Sequence, residues 1–150
     1  MKIKKPNYNE EDKEDYSGVH AIIKDDNGRI LMQKHVKYGF WTIPIGKVKL
    51  GGDIEEGFKK EVFEECGIRV KKMKKLNERE DVYDIEGKKI KDYKIQFEIL
   101  EYGGQIENKE PEKHEEQRFM GVEEIKSIPH LSDGTVLYLA SLGIKRKALI

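Results

Sequence analysis

Three glutamates, Glu61, Glu64 and Glu65, stand three and four residues apart within the segment from Asp53 to Cys66. On a helix, residues at those steps share a face, so their carboxylates gather on one patch. Like charges at this spacing cost an isolated helix about 0.2–0.5 kcal/mol per pair, a penalty that a bound divalent cation more than reverses. Hard oxygen donors of this kind suit Mg2+, with Mn2+ as a substitute. The competing reading is a solvated acidic face, because 39% of the residues are charged.

The spacing around these glutamates predicts the helix that must carry them. Ile54, Phe58, Val62 and Phe63 recur at three- and four-residue steps and supply an apolar stripe. Asp53, three residues before Glu56, has the form of an N-terminal cap, and Gly67 sits where helices commonly turn off in left-handed geometry.

Residues 46 to 68 read GKVKLGGDIEEGFKKEVFEECGI. This stretch resembles the Nudix box, G-x5-E-x7-R-E-U-x-E-E-x-G-U, where U is a bulky aliphatic residue. Gly46, Glu61, Val62, Glu64, Glu65, Gly67 and Ile68 fall on specified positions, and Trp41 and Pro44 stand where the family often has a tryptophan and a proline. Two box positions depart: Gly52 occupies the place of the early glutamate and Lys60 that of the arginine, while Ile45 stands for a common glycine before the box. Lys60 keeps the positive charge but loses the planar fork of a guanidinium. Asp53, one residue later and one methylene shorter, competes for the part of the missing carboxylate with its capping role.

The resemblance implies a magnesium-dependent hydrolase that directs water onto a phosphorus of a diphosphate linkage, in a nucleoside triphosphate or in a nucleoside diphosphate joined to another moiety. It implies that Glu64 and Glu65 hold the metal and that Glu61 is either a further ligand or the general base. A further ligand often comes from a loop outside the box. Among Glu110, Glu112, Glu115 and Glu116, which precede Phe119, we select Glu115, with a solvated acidic loop as the alternative. Lys34 and Lys47 are candidate phosphate contacts, because a polyanionic substrate needs cations. Trp41, with Tyr38 and Phe40, is a candidate platform for a base, or else part of the core. The second function class is a Nudix-like nucleotide-binding or regulatory module whose catalysis weakened when Gly52 and Lys60 replaced the motif residues. A third is a protein-interaction domain that docks through its charged helix.

The remaining elements must position this helix. Val19 to Ile23 and Ile30 to Met32, separated by Asp25-Asp26-Asn27-Gly28, have the pattern of a β-hairpin with a tight turn at Asn27-Gly28. Val70 to Leu76, Val82 to Ile85 and Lys91 to Leu100 read as strands, as does Phe119 to Val122. A brief helix spans Glu123 to Ile128, stopped by Pro129, and Ser132 or Asp133 caps a last helix through Leu142. Strands around one strong helix with a second at the C-terminus give an α+β fold, and the resemblance implies a Nudix-type α/β/α sandwich with a mixed β-sheet. Residues 1 to 15 form a polar lead and residues 16 to 150 a single domain.

Bulk properties narrow the partners. Lys plus Arg and Asp plus Glu both total 29, so no net field draws the chain to nucleic acid or an anionic membrane. RNA and capped RNA remain open as substrates, while the basic run Lys71, Lys72, Lys74 and Lys75 reads first as a solubilising surface. One cysteine, Cys66, excludes an intramolecular disulfide framework, and the four histidines lack ligand spacing for zinc. Without an apolar leader or spanning segment, the expected setting is cytoplasmic, with no membrane, as a monomer or homodimer acting on a small nucleotide.

Overall fold

In a computed structural model that describes residues 16–146, the chain runs β1 (Tyr16–Ile22), β2 (Ile30–His35), β3 (Trp41–Thr42), β4 (Ile45–Lys49), α1 (Ile54–Cys66), β5 (Arg69–Ile85), β6 (Lys88–Gly103), β7 (His114–Met120), α2 (Val122–Lys126) and α3 (Asp133–Ser141). The polar lead at residues 1 to 15 lies outside the described residues. A four-stranded sheet has the order β4-β1-β6-β5, and a three-stranded sheet the order β3-β2-β7. The first is mixed, since β1 runs parallel to β6 but antiparallel to β4. With helices on both sides, this is the expected α+β sandwich.

Two apolar clusters hold the layers together. Phe58, Val62 and Cys66 of α1 pack on Val19, Ala21, Ile23, Val48, Ile95, Phe97 and Ile99. On the other side, Ile125 of α2 and Tyr138 and Leu139 of α3 join Ile22, Ile30, Met32, Ile43 and Met120. Successive strand residues point to opposite faces, so β1 must be apolar toward both layers. That explains the unbroken run Ala21-Ile22-Ile23 where a half-exposed strand would alternate.

The expected β1–β2 hairpin is instead a corner between sheets. Asp25 accepts from the backbone N–H of Asn27 and Arg29, and Gly28 takes φ 75°. The expected tight turn is therefore present, but beyond the Lys24–Ile30 bridge β2 leaves for β3 and β7. The turn is local chemistry, whereas sheet membership is set by the second apolar face. Similarly, the two strands read at Val70 to Leu76 and Val82 to Ile85 are one 17-residue strand, whose register shifts between Val70 and Asn77 accommodate the polar stretch. It turns into β6 through Glu86-Gly87, both at positive φ.

The helix signals hold at the residue level. The Asp53 carboxylate accepts from the Glu56 N–H at 3.1 Å, and Gly67 at φ 75° closes α1 by donating its N–H to Phe63 O. Ser132 caps α3 by accepting from Thr135 N. No helix is long and apolar enough to cross a membrane among the described residues. Phe58 is 1% exposed and meets the Phe97 ring at a 4.7 Å centroid separation. Phe58→Ala is therefore expected to cost about 3–5 kcal/mol, measured by urea unfolding.

Candidate active site

The underside of α1 meets the edge of the four-stranded sheet at a narrow recess of about 10 Å3 lined by Val19, Ala21, Pro44, Gly46, Phe58, Glu61, Val62 and Glu65. Glu61 and Glu65, one helical turn apart, both face it. A Cβ built on Gly46 would stand 2.7 Å from Glu61 Oε2 and 3.0 Å from its Cγ, so the side chain of Glu61 occupies the space that only glycine leaves. Gly57 serves the packing: a Cβ there would sit 2.8 Å from Val48 Cγ1, so its bare backbone lets α1 lie close on β4. Two glycines, one on each element, thereby bring the glutamates to the sheet.

Glu64 lies on the outward side, exposed, with Lys60 Nζ at 3.9 Å and itself largely in solvent. The three box glutamates are thus electrostatic neighbours, but two are drawn inward and one stays wet. Burial raises the Glu61 carboxyl above its ordinary range, and the negative charges of Glu64 and Glu110 add to the shift. Glu65 is 7% exposed, and no hydrogen bond or ion pair to a described residue satisfies its carboxylate. Burial first, then Glu110 and Glu61, push it up to about 8.

The loop between β6 and β7 supplies the remaining charges, and α1 itself holds that loop. A helix leaves its last carbonyls without intrahelical partners. Here Glu107 N–H donates to Cys66 O at 2.9 Å and Lys109 N–H to Glu65 O at 3.1 Å. The far end is tied by Val36 N–H to Lys113 O at 2.8 Å and by Asn108 Nδ2 to His114 O at 2.7 Å. Buried His114 stands edge-on to His35, which also contacts Tyr38 and Phe40. Between these anchors Glu110 and Lys113 pair at 3.2 Å, and both act on Glu61 and Glu65.

The other sequence candidates fall elsewhere. Glu115 pairs with Lys34 at 3.5 Å, and Lys34 faces Trp41 across β2 and β3 in the three-stranded sheet. Trp41 is half-buried beneath the Arg118 guanidinium, 5.4 Å from its ring centroid. Lys47 follows Gly46 on β4 and is exposed. Asp53 is engaged as the cap of α1, and Gly52 is exposed in the turn before it. Sequence reasoning missed Lys113, and within the acidic loop it preferred Glu115 to Glu110. The signal that separates these glutamates is the set of backbone bonds to α1, which leaves no trace in residue type.

As the side chains stand, no three acidic, histidine or cysteine groups among the described residues converge to cage an ion. The donor set nevertheless fits a hard dication. Glu61, Glu64, Glu65 and Glu110 offer only carboxylate oxygen, and the buried Glu65 carboxyl, held up to about 8, would ionise more readily beside a cation.

A buried carboxyl with a raised pKa binds a proton that the unfolded chain, at about 4.5, releases. Stability is then fully present below about pH 4.5 and falls as pH rises through about 8. Thermal melts in chelator are expected to show Tm dropping over that window. Glu65→Gln is expected to flatten the drop and to melt higher than the parent at pH 8.

A family profile described as NUDIX domain matches residues 16–138. Among solved structures, the chain is similar to a MutT NUDIX hydrolase from Burkholderia pseudomallei, with TM-score 0.70 and 25% identity over 84% of this chain and 96% of that one. A MutT protein from Bacillus halodurans gives TM-score 0.70 and 23% identity over 89% and 85%. The NUDIX domain of Shewanella oneidensis NrtR, in a cocrystal with ADP ribose, gives TM-score 0.66 and 11% identity over 91% and 92%. Among curated proteins, none matches the chain.

Proposed function

The chain belongs to the NUDIX domain family, and on that footing we propose that it is a magnesium-dependent hydrolase of a diphosphate linkage in a nucleotide. The observation that carries this reading is Glu65, a buried carboxyl beside Glu61 and Glu110 that stays protonated up to about pH 8 and whose ionised form is costly unless a cation joins it. The substrate is a nucleoside triphosphate or a nucleoside diphosphate joined to another moiety. ADP ribose, present in the Shewanella cocrystal, is of the second kind and belongs in the test panel.

Glu64 and Glu65 would hold the ion once the outward Glu64 carboxylate turns from Lys60, with Glu61 as third ligand or base and Glu110 as the loop carboxylate. Bound there, Mg2+ would neutralise phosphate oxygens and acidify a water. The residues of the chain do the rest. Glu61, kept in the recess by Gly46, presents a carboxyl that burial makes more basic than an ordinary glutamate's, which favours proton abstraction. Water adds to one phosphorus, the bond from that phosphorus to the bridging oxygen breaks, and the bridging oxygen leaves with the other phosphate. Lys34 and Lys47 are the proposed contacts for phosphate charge, Lys34 exchanging its partner Glu115 for substrate. Trp41 is the proposed stacking surface. Lys60 and Gly67 serve the helix, as outward charge and as stop.

A weakened, binding-only module is the second reading, favoured by Gly52 lying exposed in the turn and by Lys60 lying 3.9 Å from Glu64. Tight nucleotide binding without turnover across the panel would establish it in place of hydrolysis.

With Mg2+, the purified protein is expected to release phosphate or nucleoside monophosphate from at least one member of that panel. Glu64→Gln and Glu65→Gln are each expected to lower kcat by about 100-fold or more. Gly46→Ala should fold, yet lower kcat by about 10- to 100-fold, because the added methyl swings Glu61 aside. Steady-state product release and thermal melts on the same samples check both.

A further inference from the structure

The long ribbon of β5 and β6 carries a charge pattern that the site does not use. β5 is the last strand of the order β4-β1-β6-β5, so it pairs with β6 on one side and with no strand on the other among the described residues. Its charges are sorted by sign along its length. Arg69, Lys71, Lys72, Lys74 and Lys75 stand in the first half with no acid among them, whereas Glu78, Glu80, Asp81 and Asp84 stand in the second half with Arg79. All of these except Asp81 are exposed. Some meet acids of their own chain, Lys72 with Glu101 at 3.6 Å, Lys74 with Glu98 at 4.0 Å and Lys75 with Glu78 at 2.7 Å. Pairs whose ammonium ends lie in water contribute little and exchange partners freely. Register shifts between Val70 and Asn77 bend the basic half, and bulges and lysines of this kind turn away an arbitrary strand. They do not turn away a strand with the opposite order of signs.

We propose that this edge is an interface with a second copy of the chain, set antiparallel to the first about a two-fold axis near Leu76 and Asn77. In that arrangement the basic half of each copy faces the acidic half of the other, and the half-buried Leu76 of each lies at the crossing. A parallel alignment would set lysines against lysines, and an unrelated strand would have to carry the same reversal of charge, so the pattern selects its own kind. Each copy has one such charge-sorted edge, and pairing therefore closes at two. The bends limit the ladder bonds that two edges can share. Charge then carries the association, which makes it weak and salt-sensitive. The basic run from Lys71 to Lys75 keeps the monomer soluble and supplies one half of a self-complementary pattern.

Sedimentation velocity of the intact protein, over about a hundredfold range of concentration that spans micromolar dissociation constants, is the test. The parent is expected to pass reversibly from monomer to dimer, with a dissociation constant that rises about tenfold or more between ~0.05 M and ~0.5 M NaCl. Two charge-reversed variants, Lys72→Glu with Lys74→Glu and Glu78→Lys with Glu80→Lys, are each expected to self-associate at least about 100-fold more weakly. Their equimolar mixture is expected to form a heterodimer within about tenfold of the parent's affinity, because every facing half is again of opposite sign. Thermal melts check that each variant folds; should a double variant not fold, Lys74→Glu and Glu78→Lys alone carry the same comparison at smaller amplitude. A parent that stays monomeric over the range, a variant that dimerises as the parent does, or a mixture that stays monomeric overturns the assignment.

Discussion

The rest of the site depends on one costly burial. Glu65 lies on the face of α1 that packs against the sheet, among Phe58, Val62 and Cys66, where an ionised carboxylate loses its water. The like charges of Glu61 one turn away and of Glu110 from the loop deepen that cost, while Lys113 from the loop opposes it. A helix with these carboxylates on its outer face would be an ordinary charged surface. The inward placement of Glu61 and Glu65 raises both carboxyls, and it requires α1 to come close to the sheet, which the bare backbones of Gly57 and Gly46 permit.

The two apolar layers divide the labour. The layer under α1 carries Glu61 and Glu65 at its rim, while the layer under α2 and α3 holds the second sheet and the polar groups of the opposite face. On that face Lys94 binds Asp92 at 2.6 Å and Asp81 at 2.9 Å, and lies 3.5 Å from Asp133 at the start of α3, so a buried ion network ties the long β5–β6 ribbon to the last helix. A buried, satisfied network of this kind fixes how elements sit together more than it adds to stability.

What was legible in the sequence was local. The α1 boundaries came from Asp53 and Gly67, its faces from the apolar period, and the glutamate set from the box frame, because all of these are encoded within a few residues. What was not legible depended on long-range partners. The Asn27-Gly28 turn is real, but no local signal tells that β2 will join a different sheet from β1. The path of the loop, which turns Glu110 toward α1 and Glu115 toward Lys34, was not legible, because four glutamates in seven residues look alike until backbone amides dock on the helix end. Lys113 was hidden for the same reason, one lysine among many.

The docking of the 104–113 loop is made chiefly by main-chain groups: Glu107 and Lys109 give amide hydrogens to the end of α1, and the carbonyl of Lys113 receives one from Val36, just past β2. Every amino acid except proline offers that donor. The mount is thus independent of what it displays. Evolution, or an engineer, can exchange the side chains at 110 and 113, altering the sign and number of charges overhanging the helix, without having to rebuild the scaffold that aims them.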